Sequence, residues 1–197
     1  MQQRNGIWRL LVSICMTVPV TVAPWAQAAT PAQVQPGSLD VAVLYTADGS
    51  NRIPTQHLWM QGGSLQVHGQ FWHGLGVVAD VMGEHTSNMA RSDVGLDMVT
   101  ATFGPRYTWQ PEQHKYALFG QALVGEANAL HSVFPAEGGA TDSDNSLALK
   151  VGGGLNYWLS RHFAVRAFEA DWVRTQLPNG STNLQNYLQL GAGIVLR

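Results

Sequence analysis

Leu184-Gln-Asn-Tyr-Leu-Gln-Leu-Gly-Ala-Gly-Ile-Val-Leu-Arg197 alternates almost without interruption. Leu184, Leu188, Leu190, Ala192, Ile194 and Leu196 fall on one parity; Gln185, Tyr187, Gln189, Gly191, Gly193, Val195 and Arg197 fall on the other. A period of two is the repeat of a β-strand, whose successive side chains point to opposite faces. The alternation lasts about 14 residues, whereas strands of ordinary globular proteins average roughly 5–6. Crossing a bilayer takes about 9–11 strand residues, apolar toward lipid and polar or small toward the inside of a closed barrel.

The same rhythm recurs upstream and predicts eight strands, over 38–47, 63–72, 74–84, 96–109, 115–130, 146–158, 163–175 and 183–197. Their connections alternate in length. Tight ones fall at His73-Gly74, Gln110 to His114 and Leu159 to His162. Longer ones, rich in Gly, Ser, Asn, Asp or Pro, fall at 48–62, 85–95, 131–145 and 176–182. Aromatic residues gather at the tight-turn ends: Phe71 and Trp72, then Tyr107, Trp109 and Tyr116, then Tyr157, Trp158 and Phe163. That is where an interfacial girdle belongs. The expected fold is all-β: a single eight-stranded antiparallel up-and-down transmembrane β-barrel.

Composition agrees. Charged residues are 12% of the chain, about half the usual share of soluble proteins. The formal net charge of −2 provides no basic face for nucleic acid. At the N-terminus, Arg4 and Arg9 precede an apolar run from Leu10 to Val22 and an Ala26-Gln27-Ala28 site. This is the three-part pattern of a secretory signal peptide, so 1–28 is expected to be cleaved, 29–37 to form a flexible lead and 38–197 the barrel. Cys15, the one cysteine, lies inside the signal.

Pairing strands across the tight turns predicts which residues face inward. Centring 146–175 on Leu159 to His162 sets Lys150 opposite Asp171, with Glu169 near Gly152 and Arg166 turned outward at the rim. Closing the preceding hairpin at His73 sets Gln66 beside Asp80 and His68 beside Val78. On 96–109, Val99, Ala101, Phe103 and Tyr107 face out, and Thr100, Thr102, Gly104 and Arg106 face in. Strand 115–130 stays open between a face with Phe119, Gln121 and Leu123 and one with Leu118, Ala122, Val124 and Glu126. An eight-stranded bore is just wide enough to be filled by its own side chains. Asp80, Arg106, Lys150, Glu169 and Asp171 are therefore expected to form a structural lumen network, since buried charges persist when paired.

These segments resemble the eight-stranded outer-membrane barrels that include OmpA-type, OmpX-type and opacity-like proteins. The resemblance rests on Leu75-Gly-Val-Val-Ala-Asp80, Thr102-Phe-Gly-Pro-Arg-Tyr107, Val165-Arg-Ala-Phe-Glu-Ala-Asp171 and Leu190-Gly-Ala-Gly-Ile-Val-Leu-Arg197. The last is similar to the family's C-terminal assembly signal, whose alternation ends on an aromatic where this chain has no residue after Arg197. The resemblance implies the cell outer membrane, both termini in the periplasm, and long extracellular loops with a structural or surface-interaction role. It implies contact with membrane lipid and lipopolysaccharide, assembly by the barrel machinery through the last strand, and no enzymatic activity.

Two other functions compete with that expectation. His85-Thr86-Ser87-Asn88 resembles the His-x-Ser-Asn of outer-membrane lipid A deacylases, in which His activates Ser and a carboxylate such as Glu84, Asp93 or Asp97 orients the base. A four-residue match in a polar loop is weak support for catalysis. A soluble lipocalin-like barrel binding a hydrophobic ligand would have the same periodicity with the faces reversed. The seven histidines, His57, His68, His73, His85, His114, His131 and His162, lack metal-ligand spacing, and no cofactor is expected.

Overall fold

The computed structural model describes residues 37–53, 56–86, 96–112, 114–136, 139–177 and 184–197. The expected signal peptide and most of the lead lie outside them, as do Ser87 and Asn88. Eight antiparallel strands follow in chain order: β1 (Leu39–Ile53), β2 (Gln56–Trp72), β3 (Leu75–Thr86), β4 (Leu96–Trp109), β5 (Tyr116–Ala136), β6 (Gly139–Trp158), β7 (Phe163–Thr175) and β8 (Gln185–Leu196). Each pairs with the next, and β8 returns to β1, from Val41 opposite Leu196 to Ser50 opposite Tyr187. Closure leaves no edge strand, so every backbone ladder is satisfied within the chain.

At the tight-turn end the strand limits differ from the sequence reading by no more than one residue. His73 and Gly74 reverse the chain with φ of 28° and 91°, the left-handed geometry that suits a two-residue hairpin to strand twist. At the opposite end the sequence reading is corrected. The expected loops 48–62 and 131–145 are largely strand: Asp48 pairs with Met60, Gly49 with Trp59, Phe134 with Thr141 and Ala136 with Gly139. These polar segments lack the apolar alternation of the belt, so they read as loops, yet they continue the ladder as hairpins.

Outward and inward faces follow the pleat. On β8, Leu188, Leu190, Ala192, Ile194 and Leu196 are exposed while Tyr187, Gln189 and Val195 are buried. Nine residues, Leu188–Leu196, at about 3.3 Å each and tilted about 40° span roughly 23 Å, close to the roughly 25 Å apolar band of a membrane barrel. Above that band many outward positions are polar, at Gln61, His85, Asp97, Glu126, Asn145 and Asn186, with Trp59, Leu130 and Leu184 as exposed apolar exceptions. Below it, Phe71, Trp72, Tyr107, Trp109 and Tyr157 are exposed as the expected girdle. Trp158 is a correction: it is 2% exposed and points into the lumen, because neighbouring residues on a pleated strand face opposite ways. An apolar outside around a polar inside is the reverse of a lipocalin, and the structure sets that alternative aside.

Candidate functional site: the lumen network

The inward face of each strand carries polar side chains at mid-height, and the small bore forces them together. Lys150 Nζ lies 2.6 Å from Asp80 Oδ2, 3.4 Å from Asp171 Oδ2 and 3.7 Å from Glu169 Oε1. Arg166 Nη1 donates to Glu169 Oε2 at 2.6 Å, and its Nε donates to Asn156 Oδ1 at 2.8 Å. Gln121 Nε2 donates to both Asp171 and Glu169, and Gln66 Nε2 donates to Glu169 Oε1 at 2.8 Å. Arg106 donates to Gln66 Oε1 at 2.6 Å and to Gln121 Oε1. Ser64 Oγ donates to Asp80 Oδ1. Two guanidinium groups lie over the Phe119 ring, with Arg106 Cζ at 4.4 Å and Arg166 Cζ at 4.5 Å from its centroid. A cation over an aromatic face is attractive, and more so away from water.

All five residues expected in the network, Asp80, Arg106, Lys150, Glu169 and Asp171, are buried there, none more than 2% exposed. The pairings Gln66 with Asp80 and His68 with Val78 hold, as do the two faces of β4. Strand β5 is resolved in favour of Phe119, Gln121 and Leu123 inside; Leu118, Ala122, Val124 and Glu126 face out.

Three details of the β6–β7 hairpin differ. Lys150 is opposite Val173, while Asp171 is opposite Gly152 and Glu169 opposite Gly154. Lys150 and Asp171 therefore meet diagonally. Arg166, expected outside, is 1% exposed and points inward. Next to the turn, Asn156 pairs with Arg166 where symmetrical counting gave Val165, and a one-residue slip reverses every facing. A β-bulge then reverses it back: Leu155 pairs with Phe168, so the stretch Ala167–Phe168 carries one extra residue and both face out. Glu169 and Asp171 return to the lumen for that reason.

The sequence reading did not place Gln66, Gln121, Phe119, Ser64, Asn156 or Arg166 in the network. Arg166 and Glu169 carried a legible signal: three residues apart on one strand, they share an inward face only across an inserted residue.

Other tiers fill the rest of the lumen. On the hairpin side, Thr46 Oγ1 donates to Glu84 Oε1 at 3.5 Å and Gln189 Nε2 to Met82 Sδ at 2.7 Å. Beyond them Met60, Leu96, Met98, Val173 and Tyr187 form a buried apolar cluster. On the tight-turn side, Arg197 Nε and Nη2 donate to the two Asp40 oxygens at 2.7 and 3.0 Å. The same guanidinium lies 4.2 Å over the Trp158 ring. Arg197 thus clamps the end of β8 to the start of β1 across the closing seam.

The His85 segment falls elsewhere. His85 and Thr86 end β3 instead of lying in a loop, and His85 Nδ1 is 2.5 Å from Asp97 Oδ1 across the β3–β4 ladder. This pair is on the barrel exterior, with the His85 side chain 57% exposed. Among the described residues, no group of His, Cys, Asp and Glu is arranged to hold a metal.

Several solved structures share this arrangement. The chain is similar to Neisserial surface protein A, with 14% identity over 82% of this chain and 99% of that one and a TM-score of 0.59. It is similar to Ail, the attachment invasion locus protein of Yersinia pestis, with 17% identity over 82% and 100% of the chains and a TM-score of 0.52. The outer membrane protein OprG from Pseudomonas aeruginosa matches with 10% identity over 82% and 96% of the chains and a TM-score of 0.50. The chain has the eight-stranded outer-membrane β-barrel fold. No family model matches it, and no curated protein does. At such identities the likeness concerns the barrel and its strand order, while the lumen network is read from this chain's own side chains.

Proposed function

We propose that this chain is a non-enzymatic protein of the cell outer membrane, a closed and filled barrel that holds extracellular hairpins for structural or surface-interaction work. The observation that carries the reading is the contrast between an apolar exterior and a lumen packed with paired charges. An apolar belt of membrane height on a soluble protein would drive aggregation, and a bore crossed by Lys150, Arg106 and Arg166 is no solute path. Residues 1–28 act as a cleaved signal, and both termini lie in the periplasm with the tight turns. Outer-membrane lipid and lipopolysaccharide contact the belt, and the assembly machinery engages β8. Recovery in the detergent-extracted outer membrane, with a heat-modifiable shift on gels and no steady conductance in planar bilayers, is the expected result. Recovery as a soluble periplasmic protein contradicts it.

The contact of His85 with Asp97 favours one second reading, an esterase acting on lipid A with Ser87 as nucleophile. Its test is the acylation of lipid A from cells overproducing the wild type or Ser87→Ala. Identical mass spectra are expected. A missing acyl chain, restored by Ser87→Ala, would establish catalysis instead.

A further inference from the structure

We propose that the tight-turn end of the lumen binds a small anion of chloride size between Arg106, Arg166 and Trp158. The six central charges balance in number but not in place. Asp80, Glu169 and Asp171 converge on Lys150. Arg106, 2% exposed, bonds to the side-chain amides of Gln66 and Gln121 and makes no ion pair with a carboxylate among the described residues. A buried cation held only by neutral groups keeps much of its desolvation cost.

Below Arg106 lies a cavity of about 10 Å³, room for about one water-sized occupant. Arg106, Arg166, Arg197, His68, Trp158 and Asp40 contribute to its wall. Three guanidinium groups thus line it beside one carboxylate; Arg197 is paired with Asp40 and Arg166 with Glu169, so among the described residues Arg106 is the one without a carboxylate partner. Two of the lining residues carry an atom with no hydrogen-bond partner among the described residues, Trp158 Nε1 and His68 Nε2, and these residues are 2% and 4% exposed. An indole N–H donates and cannot accept. An unsatisfied donor in a low-dielectric pocket lined by cations is the chemistry that recognises a halide. A single monatomic ion matches that volume more closely than a polyatomic oxyanion such as phosphate.

Crystals of the detergent-extracted wild-type barrel grown with bromide in place of chloride test this directly. The expected result is an anomalous difference peak in the cavity, in contact with Trp158 Nε1 and the Arg106 guanidinium. Density there without anomalous signal is a water and overturns the proposal. In solution, replacing gluconate by chloride at constant ionic strength raises the unfolding temperature of the wild type, because a ligand of the native state stabilises it. Trp158→Phe keeps the ring and removes the donor, and it weakens the apparent chloride affinity by roughly tenfold or more, the worth of a charge-assisted bond. A wild type indifferent to chloride, or an undiminished response in Trp158→Phe, also overturns the proposal.

Discussion

The β2–β3 and β6–β7 hairpins each carry one register shift, placed differently: between Gln70 and Trp72 beside the turn in the first, and between Arg166 and Phe168 inside the strand in the second. In the first, counting back from the turn at His73 predicts Gln66 opposite Asp80, and that pairing is found. In the second, counting from Leu159 to His162 predicts Lys150 opposite Asp171 and Arg166 toward lipid, and neither is found. The bulge at Ala167–Phe168 accounts for much of the difference. A shift next to the turn is absorbed by centring the count on His73, whereas one inside the strand is not, and beyond it the positions of charges report the facing better than arithmetic does.

Removing the insertion is the strongest way to break this comparison. Deleting Ala167 straightens β7, so that either Arg166 or the pair Glu169 and Asp171 must turn to lipid. Losing partners from a buried charge network costs about 3–5 kcal/mol, and a charge on the lipid face adds up to about 2–4 kcal/mol. No heat-modifiable barrel is expected for the deletion, whereas Ala167→Ser assembles normally. A stable deletion variant would show that the bulge does not set the register.

Next in size is Lys150→Met, which leaves Asp80, Glu169 and Asp171 facing one another. A loss of about 3–5 kcal/mol in chemical unfolding is expected. Double-mutant cycles sharpen it. The coupling of Lys150 to Asp80, 2.6 Å apart, should exceed that of Lys150 to Asp171 at 3.4 Å. Contacting charges couple by about 0.5–3 kcal/mol. Additive losses for both pairs would mean that the lumen charges do not act as a network.

A smaller effect comes from the turn of the β2–β3 hairpin. Gly74 has φ of 91°, and a Cβ there would meet the Thr108 carbonyl oxygen. Gly74→Ala should cost upward of about 1 kcal/mol, because alanine is strained at positive φ. An unchanged unfolding midpoint would mean that the turn relaxes freely. The smallest effect is expected at the other end of the molecule, where a short tag inserted between Ala136 and Gly139 should be tolerated and reached by antibody on intact cells.

Most of the barrel was legible because lipid and lumen impose opposite demands on alternate residues. On β4 and β8, where the pleat runs regularly, the faces follow from the sequence alone. β5 resisted because its inward face carries Phe119 and Leu123, as apolar as the outward Leu118 and Val124. Phe119 is inside, where it meets the Arg106 and Arg166 guanidinium groups, a role no periodicity encodes. The hairpin extensions of β1, β2, β5 and β6 were hidden for a related reason. Beyond the apolar belt the sequence is rich in Gly, Ser, Asn and Asp, so the alternation that marks a strand fades while the backbone ladder continues. The network itself was half visible. Its charged members stood out as inward residues, but the amides of Gln66 and Gln121, which join carboxylates to Arg106, look in sequence like any polar lumen filler.

The most direct test is a single-cysteine scan of β7 from Ala164 to Asp171 in a Cys15→Ser background, each thiol carrying a spin label relaxed by a lipid-soluble quencher. Strong relaxation is expected at Val165, Ala167, Phe168 and Ala170, and weak relaxation at Ala164, Arg166, Glu169 and Asp171. Two adjacent lipid-facing sites are the signature of the bulge, and the flanking alternation is that of an apolar outside around a charged core. An unbroken alternation through Ala167 and Phe168, or strong relaxation at Arg166, would contradict both.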